Sequence, residues 1–146
     1  MRYIPTSERQ ETLASICSMK CKCPEYPKPN SSIGIWDSKE NRVVGGVTYT
    51  NFTGREIWAS IWLDDKKALT KATLNALFSY PFIHCGVKRL STNTKAGNEE
   101  SLKLQKKMGF VEEGRLRRFF GDDGPHEDAI LMSMLKDECR WIKKNG

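Results

Sequence analysis

No run of apolar residues in this chain approaches the roughly 18 that a membrane-spanning helix needs, which excludes an ordinary transmembrane protein. The opening residues, Met1-Arg2-Tyr3-Ile4-Pro5-Thr6-Ser7-Glu8, lack the apolar centre of a secretory signal. The expectation is a cytoplasmic protein with no membrane partner. Histidine is scarce, with only His84 and His126, and neither stands where the chemistry is expected. No internal repeat or low-complexity segment is present, which excludes solenoid and fibrous classes. The five cysteines are an odd number for a disulfide framework, and a chain of this length needs no covalent staples, so reduced thiols are expected. Three of them cluster as Cys17, Cys21 and Cys23. A zinc site built on these would have to recruit a fourth ligand from Cys85, Cys139, His84 or His126. No metal site is expected.

The hydrophobic share of 38% and charged share of 29% suit a globular fold. At 146 residues the chain has the size of a single domain, 1–146, as a monomer or homodimer. The net charge of +6 suggests an anionic partner: a phosphorylated cofactor, an acidic protein surface or a nucleic acid. Because basic residues alternate with acidic ones, a solvated mixed surface accounts for most of them, and a nucleic acid is the less favoured partner.

Along the chain, Ser7 can cap a helix over 8–20 with Leu13, Ile16 and Cys17 on one face. Pro24, Pro27 and Pro29 then impose a loop, because proline lacks the amide donor that a helix requires. Strand-like runs follow at 33–36, 43–51 and 56–63, an antiparallel meander in which Gly45-Gly46 marks a bulge or a close approach. A helix is expected over 68–80 with Pro81 closing it, a strand over 87–92, and a helix over 99–108. Asn98 caps this last helix, Glu99 and Glu100 occupy its first turn, Lys106 and Lys107 its last, and Gly109 ends it. Strands at 110–118 and 129–135 flank the loop 119–126. This order argues an α/β (α+β) sheet with helices packed on it.

The run from Asn98 to Arg117 contains N-x-x-S, five residues, K-x-G-F, and then E-G-x-x-R. In this it resembles the C-terminal half of GNAT N-acetyltransferases, especially relatives of the ribosomal-protein N-terminal acetyltransferases. The segment Asp128 to Leu135, with Glu138 and Trp141, is similar to the family's last strand and tail. The likeness covers 32–141, and 1–31 lie outside it. The wording around Tyr80-Pro81-Phe82 and Glu138-Cys139-Arg140-Trp141 resembles short GNAT proteins of phages and prophages.

The resemblance implies a mixed, mostly antiparallel sheet that splays between its fourth and fifth strands, here 56–63 and 87–92. It also implies acetyl-CoA, or another acyl-CoA, as the cofactor and an amine of a protein, small molecule or modified nucleotide as the acceptor. Cofactor contacts would come from Trp62 and Leu63 on the strand, from Lys66, Lys67, Ala68, Leu69 and Thr70 at the following helix start, and from Asn98, Ser101 and Gln105. The family's pyrophosphate signature R/Q-x-x-G-x-G/A falls on Asp65, Ala68 and Thr70, so its arginine and glycine are missing, while Lys66 and Lys67 return positive charge. The position of the family's tyrosine acid is Gln105. Candidates to take the amine proton, directly or through water, are Glu56, Asp64 and Ser60. Tyr49, Asn51 and Trp58 are the candidates for the acceptor side. An alternative reading keeps the scaffold as a phage-encoded binding protein that acts on a host protein or nucleic acid without catalysis.

Overall fold

A computed structural model describes residues 1–23, 25–121 and 125–142. Pro24 and the loop residues Asp122 to Gly124 lie outside the described residues. Among the described residues, seven strands form one sheet in the order β1-β2-β3-β4-β5-β7-β6. They are β1 (Tyr3–Thr6), β2 (Ser31–Asp37), β3 (Arg42–Thr50), β4 (Glu56–Leu63), β5 (Arg89–Lys95), β6 (Val111–Phe120) and β7 (Glu127–Leu135). The described residues also form α1 (Gln10–Cys21), α2 (Lys71–Ser79) and α3 (Glu99–Met108). Every neighbouring pair is antiparallel except β4 with β5. A parallel pair needs a crossover, and the segment containing α2 supplies it.

Strand β1 is absent from the sequence reading. Pro5 argues against a central strand but is compatible with an edge, and β1 pairs only with β2, Tyr3 facing Asp37 and Thr6 facing Gly34. Because the chain leaves β1 at Thr6, Ser7 does not cap α1. The helix instead starts after Arg9, which is left-handed at φ 59° and offers no side-chain cap. Gln10 ties the start down: its side-chain amide donates to the carbonyls of Ser7 and Ser32 at 2.6 and 2.8 Å, and its oxygen accepts from the Ser32 amide at 2.7 Å. Leu13 and Cys17 are buried on the face expected. Gly34 lets the helix lie close, since a Cβ there would stand 2.6 Å from Leu13 Cδ2.

The glycine pair in β3 serves both purposes read from it. Pairing of Ile35 with Gly45 and of Trp36 with Val43 leaves Val44 as a bulge. A Cβ on Gly46 would meet the Trp62 indole nitrogen and the Ile33 carbonyl, both at 3.0 Å. The helix expected over 68–80 resolves into a 3-10 turn, Lys66–Ala68, and then α2, capped by Thr70. Pro81 does not end helical structure; it sits in a wider turn, Tyr80–His84, where it and Phe82 are buried. Strand β5 runs three residues further than expected, to Lys95, and Phe119 and Phe120 belong to β6 rather than to a loop.

The pairing of β4 with β5 covers only Glu56 with Arg89, Ile57 with Leu90 and Trp58 with Ser91. Beyond these the strands part, while β3 stays paired along β4 to Leu63 and β7 along β5 to Lys95. Arg89 clamps the closed end. Its Nε donates to Glu56 at 2.8 Å, and its two terminal nitrogens engage both oxygens of Glu113 on β6. The guanidinium, helped by the Ser133 hydroxyl, holds the Glu113 carboxyl down to about 2. A carboxyl depressed in the folded state stabilises above its ordinary value of 4.5 and loses that contribution as pH falls toward 2. We expect Arg89→Ala to cost about 1 to 2 kcal/mol at neutral pH and to flatten this acid limb, as measured by urea denaturation across pH.

Candidate acyl-CoA cleft

Where β4 and β5 separate, the sheet opens into a cleft of about 520 Å³. One wall is the free half of β4, Ala59 to Leu63, with Asp64 just beyond it, and the other is the free half of β5, Thr92 to Lys95. The end of α1 and the two residues after it, Lys20 to Cys23, border it, as do Asn98 at the cap of α3 and Ser101 and Gln105 within it. Of the sequence-predicted residues, Ser60, Trp62, Leu63, Asp64, Asn98, Ser101 and Gln105 line this space.

Gln105 is buried and fully engaged. Its oxygen accepts from the Thr92 hydroxyl at 2.5 Å, and its nitrogen donates to Thr94 at 2.7 Å and to Ser101 at 3.1 Å. It therefore braces the base of α3 against β5 and has no acidic proton to give. Asn98 caps α3 by accepting from the Ser101 amide at 3.1 Å, and the Glu99 amide donates to the Gly97 carbonyl at 3.1 Å. Asp64 accepts from Lys20 at 3.0 Å and from Arg42 at 2.9 Å. Burial pushes its pKa up, but the hydrogen bonds and charges of the two cations outweigh this and the net shift is downward. A carboxylate so stabilised is a weak base.

Other predicted residues stand elsewhere. Glu56 lies at the closed end, bound to Arg89. Tyr49 is 1% exposed, and its hydroxyl donates to the Leu77 carbonyl in the core, which takes it away from any acceptor side. Asn51 is exposed and left-handed at φ 54°. Trp58 is half-buried in the last residue pair of β4 with β5. Lys66 reaches Glu100 on the cleft at 3.8 Å, and the Lys67 amide donates to the Asp65 carboxylate at 2.9 Å. Ala68 is buried, its carbonyl accepting from the Thr73 hydroxyl at 2.6 Å, so it lies under the turn and presents no surface to a ligand. Leu69 ends that turn, and Thr70 caps α2, accepting from the Thr73 amide at 3.2 Å.

The sequence reading set the opening beside the strand 87–92 but named no residue of β5 as lining it, and it missed the end of α1 as a cleft wall. Ser91-Thr92-Asn93-Thr94 is an unusually polar run for an interior strand, and that was the available signal. Ser91 Oγ and Asn93 Oδ1 are buried without a hydrogen-bond partner among the described residues. Asn93 lies on the unpaired half of β5 and lines the cleft, so its orphaned oxygen is one that a bound amide-bearing chain would satisfy, whereas Ser91 stands in the paired end. On the α1 wall, Cys21 and Cys23 face the cleft and Cys17 lies behind them, its sulfur 3.4 Å from the Ser60 carbonyl. Tyr26 stands 3.1 Å from the Cys23 sulfur and 3.4 Å from that of Cys17. Among the described residues no group of three or more His, Cys, Asp and Glu is arranged to hold a metal.

No family model matches the chain. Two Bacillus subtilis proteins are similar to parts of it. YdaF, named as a ribosomal N-acetyltransferase, is 32% identical over 77 residues, 53% of this chain and 42% of that protein. YokL, named as an SPbeta prophage-derived N-acetyltransferase, is 26% identical over 72 residues, 49% of this chain and 41% of that protein. The matched stretches thus span less than half of these relatives. Among solved structures, spermidine N-acetyltransferase from Vibrio cholerae in complex with CoA and spermine aligns with a TM-score of 0.73 at 16% identity, over 94% of this chain and 97% of that one. Ribosomal-protein-S5-alanine acetyltransferase from Vibrio fischeri aligns at 0.72 and 19%, over 96% of each. This chain has the mixed, splayed-sheet fold of the GNAT acetyltransferases, and about half of its length carries sequence likeness to named N-acetyltransferases.

Proposed function

We propose that the protein is an acyl-CoA-dependent N-acyltransferase that moves an acetyl group to an amine. The observation that carries this reading is the parting of β4 from β5 after three residue pairs, which leaves strand edges free along the cleft. Bound acetyl-CoA would supply an acyl thioester. The free edge of β4 from Ala59 to Leu63 and the orphaned Asn93 oxygen suit the amide groups of a pantetheine arm. Three lysines line the cleft against two carboxylates, a balance that suits a phosphorylated ligand. The α2 amides that follow Thr70, with Lys66 and Lys67 before them, suit its pyrophosphate.

Positioning supplies much of the rate in such a reaction. Here it comes from Gln105, which fixes the β5 hydroxyls, and from the two free strand edges. Ser60 lines the cleft and serves best by ordering a water against the amine, since a hydroxyl is a weak base. A cytoplasmic location, where acyl-CoA and reduced thiols coexist, goes with this reading. The alternative of a scaffold without catalysis draws on the engaged Gln105 and the cation-bound Asp64.

Calorimetric titration with acetyl-CoA is expected to show one site per chain, with affinity falling as salt rises. Lys66→Ala and Lys67→Ala are each expected to weaken it by about 0.5 kcal/mol. Absence of binding would sink the acyl-CoA reading; binding without acetyl transfer to any primary amine would favour the inactive scaffold.

Ala68→Gly, which the family's signature would favour, is expected to lower stability by about 1 kcal/mol with no gain in affinity, because the methyl it removes is buried. Thermal melts and the same titration check both halves. Asn98→Ala is expected to cost about 1 kcal/mol of stability through the lost cap. A parallel loss of acetyl-CoA affinity would show that the start of α3 also borders the ligand.

A further inference from the structure

The two faces of the sheet give the cleft two mouths. Tyr49 of β3 donates to the Leu77 carbonyl of α2, and its partner Ala59 on β4 faces the same way, which leaves Ser60 and Trp62 on the opposite face. On β5, Thr92 and Thr94 bond Gln105 of α3, so Lys95, one residue on, faces away from that helix. Trp141 ties α2 and α3 to one side, its carbonyl accepting from Asn75 and its indole donating to the Met108 carbonyl. The pyrophosphate end proposed above, at Lys66 and Thr70, belongs to that side. The other mouth opens beside the end of α1.

Charge divides with the faces. The three lysines that line the cleft, Lys20, Lys22 and Lys95, all belong to the α1 mouth. Lys20 is held there, its ammonium 3.0 Å from Asp64 and 5.3 Å from the centre of the Trp62 ring. Lys95 lies over the Phe120 ring. Lys22, left-handed at φ 53° just after α1, forms no ion pair among the described residues. The carboxylate at this mouth, Asp64, is already shared between Lys20 and Arg42, and the other carboxylate of the cleft, Glu100, stands on the α3 side with Lys66. These full positive charges outweigh the roughly half charge of opposite sign at the end of α1.

We propose that the acceptor is an amine whose own molecule carries a carboxylate or phosphate, entering by the α1 mouth with that anion against Lys20 and Lys22. This rests on the acyl-CoA reading above. A polyamine finds no free carboxylate among the described residues of this mouth for its remaining ammonium groups. The same cations serve the chemistry, because an amine attacks a thioester only when neutral and nearby positive charge lowers its pKa. The acceptor therefore gives its first proton to water more readily here than in bulk solution. Its nitrogen then bonds the acyl carbon, the carbon–sulfur bond breaks, and the proton lost from nitrogen passes to the departing thiolate.

The test measures initial rates of acetyl transfer from acetyl-CoA by the full chain, with calorimetry of acetyl-CoA binding in parallel. The acceptors are O-phosphoethanolamine against ethanolamine, the tripeptide amide Ala-Asp-Glu against Ala-Asn-Gln, and spermidine. The expected result is a kcat/KM about fivefold higher for an anionic acceptor than for its neutral twin, carried by KM and shrinking as salt rises, with spermidine poorest. The pair that shows it tells a small phosphorylated amine from an acidic peptide end. Lys22→Glu should abolish the preference and raise KM for the anionic acceptor more than KM for acetyl-CoA; Lys20→Met should act in the same sense. Because the preference is measured on the unmutated chain, it decides the matter even if a variant fails to fold. Acetyl-CoA binding with equal rates inside both pairs, with spermidine preferred, or with no transfer to any of the five overturns the proposal and leaves the cofactor assignment standing. A Lys22→Glu variant that loses acetyl-CoA more than acceptor gives that lysine to the cofactor and overturns it too. Absence of acetyl-CoA binding overturns both.

Discussion

Everything that gives this molecule a site follows from one interrupted ladder. A parallel strand pair in the middle of a sheet normally satisfies its backbone along its whole length, because an unpaired buried amide or carbonyl costs about as much as a lost hydrogen bond. Here β4 and β5 stay together for three residue pairs and then part. The separation is held at its closed end by Arg89, which ties Glu56 on β4 to Glu113 on β6. Each strand is braced on its outer side, β4 by β3 and β5 by β7, so neither can swing back without breaking a longer antiparallel ladder.

The surrounding elements are shaped to that gap. Gln105 keeps α3 at a fixed distance from β5 through two hydrogen bonds to the Thr92 and Thr94 hydroxyls, with a third to Ser101 on its own helix. Gly34 brings α1 down onto the sheet, so that its last turn reaches the edge of β4. Gly46 gives the Trp62 indole its place. These are short-range packing choices, yet each places a wall of the cleft.

The parts that could be read from the sequence were those governed by local rules. The cap at Asn98, the stop at Gly109 and the meander around Gly45-Gly46 follow from residue type and spacing, and the structure places them where those rules predict. Strand β1 was missed because a four-residue edge strand containing proline has almost no pattern of its own; its partner β2 defines it. The start of α1 was misjudged for a related reason, since Gln10 fastens it to Ser32, a residue distant in sequence. At the site, the free strand and α3 were legible through the resemblance. The α1 wall was not, because only the folded chain shows that the cysteines of one helix meet the carbonyls of a strand about forty residues away.

The orientation of the helices about the gap has an electrical consequence. The C-terminal end of α1 borders one wall, and the N-terminal end of α3 borders the other. A helix carries about half an elementary charge at each end, negative at its C-terminus and positive at its N-terminus. Two carbonyls at the end of α1 are taken up by the amides of Lys22 and Cys23, which softens that pole without reversing it. The gap is therefore spanned by a fixed potential gradient, built from backbone alone and present whatever the side chains' protonation. The side chains oppose that gradient, with Lys20 and Lys22 at the α1 end and Glu99 and Glu100 at the α3 start, so that backbone and side-chain fields counter one another across the gap.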